Sequence, residues 1–173
     1  KSANFSFTRE RLETPDYDFL DIDWVINKKN QINKPLLVLF HGLEGSSESQ
    51  YSIAFARVAI ENNWSFVVVN FRGCSGEVNL APRAYHAGDS DEINWVLEKI
   101  NSLAVNKIIF CVGISLGGNA LLKWISKHDR SLYSSISKVK GIVTISAPID
   151  LIASGKKLDS GINRLIYSKF FLK

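Results

Sequence analysis

The sequence predicts an α/β fold in three layers, with an N-terminal β-hairpin followed by a mostly parallel sheet between helices. Three observations carry this expectation. From Pro35 onward, short uninterrupted apolar segments alternate with segments of helical periodicity, the pattern of parallel strands buried on both faces. Ahead of Pro35, Leu20, Ile22, Trp24 and Ile26 alternate with Asp21 and Asp23 in the period-two rhythm of a strand. Finally, a glycine-flanked serine, Ser115, stands where an apolar strand gives way to an amphipathic helix.

Taken in order, Pro15-Asp16-Tyr17-Asp18 supplies turn chemistry before the alternating segment and so closes the hairpin. Strands are predicted at Leu36 to His41, Ser65 to Phe71, Lys107 to Ile114 and Gly141 to Ser146. The first helix starts with Ser47 and Gln50 at capping-box spacing. The second starts with Asp89 and Glu92 in the same relation and then buries Ile93, Val96, Leu97 and Ile100. The third runs from Leu116 to Lys127. After Pro148 the strand-helix rhythm is lost, and Ile162, Leu165, Ile166 and Phe170 mark a last amphipathic helix ending in Phe170-Phe171-Leu172. Residues 1–148 therefore read as core and 149–173 as the start of a cap.

Composition narrows the function class. At 173 residues and 46% apolar, the chain can bury a self-sustaining core, which argues against disorder. Its 21 basic and 17 acidic residues are scattered, so the net charge of +4 does not imply nucleic acid as a partner. No apolar run approaches the roughly 20 residues of a transmembrane helix. Cys74 and Cys111 lie far apart behind no signal-like start, so reduced thiols and a cytoplasmic setting are expected. Because the chain opens at Lys1 without an initiator Met, an upstream segment is expected to have been removed or left out.

Gly113-Ile114-Ser115-Leu116-Gly117 is G-x-S-x-G between a predicted strand and a predicted helix. Such a turn needs its glycines because the serine takes a strained backbone conformation and the flanking chain passes too close for β-carbons. It also places the serine at a helix N-terminus, where free amides favour developing negative charge. A chance match is the alternative reading, and the strand before and helix after argue against it. An acyl-transfer site also needs backbone donors for an oxyanion, one from the residue after the nucleophile and one from the loop after an earlier strand. Leu116 fills the first place. His41-Gly42-Leu43-Glu44-Gly45 follows the strand ending at Phe40, and the Leu43 amide is the second candidate. A phosphate-cradling loop is the rival there, but the Lys and Ser/Thr of a P-loop are missing.

These motifs, with Phe71-Arg72-Gly73-Cys74-Ser75-Gly76-Glu77 and Arg83-Ala84-Tyr85-His86, resemble the YheT-like branch of the α/β-hydrolases. That branch includes the fungal medium-chain fatty acid ethyl ester synthase/esterases. The resemblance extends from Leu12-Glu13-Thr14-Pro15-Asp16 through Ser146-Ala147-Pro148-Ile149-Asp150 to Ile166-Tyr167. It implies an α/β-hydrolase fold that lacks its last strands in this chain, and Ser115 as nucleophile. It also implies carboxylic-ester hydrolysis, or the reverse acyl transfer, on small-molecule esters or lipids with short or medium acyl chains. No metal or organic cofactor is implied. The family's acid and histidine would lie beyond Lys173.

In this fold the triad runs Ser, then Asp or Glu, then His. His128 is the one histidine after Ser115, and about thirteen residues of helix put it some 20 Å away. His41 reads as structural. His86 is a fallback base, with a structural role favoured. Asp150 reads as an N-cap before Leu151 rather than the acid, Asp89 as another cap, and Glu44 as a loop residue without a role. Cys111 reads as core. Two functions follow: an ester hydrolase that is incomplete and nearly inactive in this chain, or a catalytically dead remnant that binds a partner or lipid. The open edge of strand Gly141 to Ser146 would invite self-association in either case.

Overall fold

The computed structural model describes residues 5–25, 34–104, 107–127, 139–161 and 163–164. Its strands are β1 (Thr8–Glu13), β2 (Phe19–Val25), β3 (Leu36–Phe40), β4 (Ser65–Asn70), β5 (Ile109–Ile114) and β6 (Val139–Ile145). Its helices are α1 (Gln50–Glu61), α2 (Ser90–Leu103), α3 (Leu116–Lys127) and α4 (Leu151–Leu158). The strands form one sheet in the order β1-β2-β4-β3-β5-β6. β1 and β2 are an antiparallel hairpin, β2 is antiparallel to β4, and β4, β3, β5 and β6 are parallel.

Side chains alternate across the continuous apolar strands, so each strand feeds two cores. Leu36, Val38 and Phe40 pack with Ile93, Leu97 and Trp124 of α2 and α3 on one face. Leu37 and Leu39 pack with Ala56 and Ala59 of α1 on the other. Each fully buried Leu or Ile contributes about 1.5–3 kcal/mol by leaving water. Right-handed crossovers require this distribution of helices, because the chain steps from β3 to β4 in one direction and from β4 past β3 to β5 in the other.

The hairpin, the four predicted strands after Pro35 and the first three predicted helices are present, with ends displaced by up to two residues, as end fraying and assignment produce. Two caps are corrected. α1 is capped at Ser49, and Ser47 instead sends its hydroxyl to Asp23 Oδ2 at 2.6 Å. Asp89 does precede α2, but its side chain makes no capping bond and binds Arg83 at 2.8 and 3.0 Å. Ile26 and the helix predicted around Ile162, Leu165, Ile166 and Phe170 lie outside the described residues, as does His128. α4 buries none of its side chains.

The alternation in β2 does not make a wet face. Asp21 and Asp23 are buried, and Arg11 and Arg9 reach across from β1 to grip each with two bonds of 2.8 to 2.9 Å. Burial pushes the Asp23 carboxyl up, but Arg9, Ser47 and Asn70 together hold it below its ordinary value. A second polar node surrounds the buried Arg72, which reaches Glu92 at 2.6 Å, Asp18 at 2.9 Å and Asp16 at 3.1 Å. A cavity of about 180 Å³ between Pro15, Arg72, Arg83, Glu92 and Trp95 belongs to this node rather than to Ser115.

Arg72→Ala would leave the buried carboxylate of Asp18 without its cation and that of Glu92 with only Arg83, 3.7 Å away, a change that costs about 3–5 kcal/mol. Urea unfolding at neutral pH measures it. A loss below about 1 kcal/mol, the value of an exposed pair, would contradict this role for Arg72.

Candidate active site

The chain leaves β3 toward β4 and leaves β5 toward β6, although β3 and β5 are adjacent. Connections diverging from neighbouring parallel strands open a crevice at their carboxyl ends, where α/β sheets bind ligands. The loop His41–Gly45 borders one side of this crevice and Ser115 the other.

Ser115 has φ 50°, a left-handed conformation that costs a non-glycine residue of order 1–3 kcal/mol. Its surroundings hold it there. Ser115 N–H donates to Ile145 O at 2.8 Å, and its carbonyl accepts Asn119 N–H at 3.0 Å. A β-carbon on Gly113 would come within 2.6 Å of Gly118 Cα, and one on Gly117 would overlap the carbonyl oxygens of Phe40 and His41. Two of the glycines predicted from the motif are thus required by close backbone passage. Ser115 is half-buried, and among the described residues its hydroxyl has no hydrogen-bond partner. The opposite loop is near, since a β-carbon on Gly42 would stand 3.2 Å from Ser115 Cβ and 3.9 Å from its Oγ.

That loop is organised by three aromatic side chains. His41 is fully buried, and Phe71 N–H donates to its Nε2 at 2.9 Å. Nε2 must therefore be unprotonated, so Nδ1 carries the hydrogen and donates to Gly42 O at 2.7 Å. Gly45 N–H also donates to Gly42 O, at 3.0 Å. With this carbonyl anchored, the Leu43 N–H of the same trans peptide unit points the opposite way. Gly42 N–H donates to Tyr51 Oη at 3.2 Å and Glu44 N–H to Tyr85 Oη at 2.9 Å. Between them, the Leu43 amide has no protein acceptor among the described residues. Leu116 opens α3, where first-turn amides have no intrahelical acceptor.

The other sequence candidates separate from Ser115. Burial lowers the His41 pKa to about 4, so the ring is neutral and its two nitrogens are occupied. His86 is exposed, with Nδ1 3.0 Å from Ala87 O and Nε2 3.6 Å from Asp89 Oδ2, and it makes no contact with Ser115. Asp150 is the N-cap of α4, accepting Ala153 N–H at 2.8 Å. Burial raises the Cys74 thiol to about 11 and the Cys111 thiol to about 12, so both are poor nucleophiles. Among the described residues no group of three or more His, Cys, Asp and Glu is arranged to hold a metal. No described helix is long and apolar enough to cross a membrane. Sequence reasoning missed Tyr51, Tyr85 and the contact made by Glu44; the one signal was Tyr85 itself, an aromatic in a polar loop.

Comparison with known proteins agrees with the fold described above. The family described as alpha/beta hydrolase fold matches residues 35–172. YheT of Escherichia coli (strain K12), a name given with a provisional assignment as an esterase, is 38% identical over 99% of this chain and 49% of its own length. Phospholipase ABHD3 of Homo sapiens is 25% identical over 95% of this chain and 40% of its own length. The chain thus spans about half the length, or less, of these relatives. Among solved structures, the Pyrococcus furiosus esterase Pf2001 is 18% identical, with a TM-score of 0.66 over 95% of this chain and 61% of that one.

His41 also sets a pH dependence. Its folded pKa of about 4 lies below the ordinary 6.5, so between these values the unfolded chain binds more protons and stability falls as pH is lowered. Complete protonation through that window removes on the order of 3 kcal/mol. Urea unfolding between pH 7 and pH 4 measures the loss, while ¹⁵N shifts of the imidazole report its tautomer. An Nε2–H tautomer at neutral pH would contradict the hydrogen bonding described.

Proposed function

Because this chain belongs to the alpha/beta hydrolase fold family, we propose that it carries the nucleophile and the oxyanion-binding amides of a serine esterase acting through an acyl-enzyme on Ser115. One observation carries the reading above all others: the Leu43 amide, without a protein acceptor among the described residues, stands on the loop that lies against Ser115, the residue directly before α3. Two N–H groups, of Leu43 and Leu116, are thereby available to one carbonyl oxygen.

The reaction follows from these parts. Ser115 Oγ adds to the ester carbonyl carbon, and the carbonyl π electrons move onto oxygen. The oxyanion is held by the Leu43 and Leu116 amides. Each such preorganised donor is worth about 10²–10³ in rate, because charge develops against dipoles already in place. Collapse re-forms the carbonyl and expels the alcohol, which takes up the proton released from Oγ. Water then hydrolyses the acyl-enzyme by the same steps. The base that carries these protons is a residue other than His41, whose nitrogens are both engaged, and other than His86, which faces Asp89.

Carboxylic esters with short or medium acyl chains suit the surroundings. Leu43 and Ile149, on the two loops flanking the serine, are 46% and 87% exposed and offer apolar surface to an acyl group. The YheT relative is named as an esterase and the ABHD3 relative as a phospholipase, names in keeping with an ester or lipid substrate.

In the protein expressed from its complete gene, a fluorophosphonate should label Ser115, and Ser115→Ala should abolish labelling. The same substitution should lower kcat on 4-nitrophenyl butyrate by about 10⁴–10⁶. Undiminished turnover by Ser115→Ala would remove the serine mechanism.

A further inference from the structure

A residue that plays no part in the chemistry, Tyr85, holds the loop that faces Ser115. Tyr85 Oη accepts Glu44 N–H at 2.9 Å and donates its own hydrogen to Glu44 Oε1 at 3.0 Å. One hydroxyl thus grips the same residue by main chain and side chain. Tyr85 is well placed to resist displacement. Its ring stacks on Phe71 at 5.3 Å and an interplanar angle of 5°, and Phe71 packs edge-on against His41 at 4.8 Å. Phe71 is also the residue whose amide fixes the His41 tautomer.

The gripped residue is itself strained. Glu44 has φ 53°, and a non-glycine residue keeps that conformation only where its surroundings over-determine it. It directly follows Leu43. The peptide unit before Leu43 is anchored through Gly42 O by His41 and Gly45, and the unit after it is anchored through Glu44 N–H by Tyr85. With both flanking units held, the Leu43 amide has little freedom to turn.

We infer that Tyr85 is a positioning residue: its two-point clamp on Glu44 aims the Leu43 amide at the oxyanion. The inference rests on the serine-esterase reading above. It differs from a packing role in what it predicts, since an aimed donor matters more to the transition state than to the bound ester.

Tyr85→Phe keeps the ring stack and removes the clamp. In the complete protein it should lower kcat on 4-nitrophenyl butyrate about 10- to 100-fold while KM stays within about threefold. Inhibition by a trifluoromethyl ketone, whose hemiketal with serine places an oxyanion at the same point, should weaken by the same factor as kcat. Glu44→Ala removes the side-chain half of the clamp and should shift both readouts in the same direction, more weakly. It also decides the matter should Tyr85→Phe fail to fold. Wild-type kcat and wild-type ketone inhibition in the folded variants would overturn the clamp, as would a rise in KM at unchanged kcat. Ser115→Ala separates the two claims: if it is inactive, those results sink the clamp alone, and if it retains full turnover the esterase reading falls first and the clamp with it.

Discussion

The site depends on one contact between backbones. Gly117, in the first turn of α3, lies directly on the carbonyl oxygens of Phe40 and His41 at the end of β3, with no room for a β-carbon. β3 and β5 are already adjacent, with Phe40 opposite Gly113, so the ladder brings the strands together and this contact carries the closeness past their ends. The nucleophile turn and the loop facing it are thereby seated on each other through main-chain atoms. A methyl group at residue 117 would have to lift one from the other, which links the smallest side chain of the motif to the width of the crevice.

Around that contact the protein separates two kinds of electrostatics. Full charges gather near the N-terminal hairpin, where Arg9, Arg11 and Arg72 neutralise buried carboxylates of β2, its preceding turn and α2. On the crevice loop the groups are mostly neutral: an imidazole kept uncharged by burial, two tyrosine hydroxyls and oriented amides, with the carboxylate of Glu44 held by Tyr85. Dipoles of this kind stabilise a charge that appears during reaction without having to be neutralised beforehand. The arginine nodes hold the sheet edge and the base of α2 in register, and so keep the scaffold still while contributing no charge to the serine.

How much of this could be read from the amino acids follows from how local each signal is. The strands from Leu36 to Phe40 and Ser65 to Asn70, helix α3 and the serine turn all come from periodicity or from residues within five positions of one another, and they stand where the sequence places them. Where a residue answers to a distant partner, reading failed. Ser47 has the spacing of a cap yet serves Asp23, 24 residues away. Asp21 and Asp23 have the spacing of an exposed face, but arginines on the paired strand allow their burial. Glu44 looks idle because its partner, Tyr85, is 41 residues on. The place of His41 in the loop indicates a structural part, whereas its tautomer is set by Phe71 N–H, 30 residues away.

The strained serine takes part of its rigidity from a neighbour with little to spare. Its amide is tied to Ile145 O, the last residue of β6, and β6 is the terminal strand of the sheet, with only β5 beside it among the described residues. Val143 and Ile145 on that strand are 56% and 40% exposed. A strand or molecule packed along this flank would therefore also brace the hydroxyl-bearing turn, so that covering the sheet edge and stiffening the nucleophile would be one mechanical event.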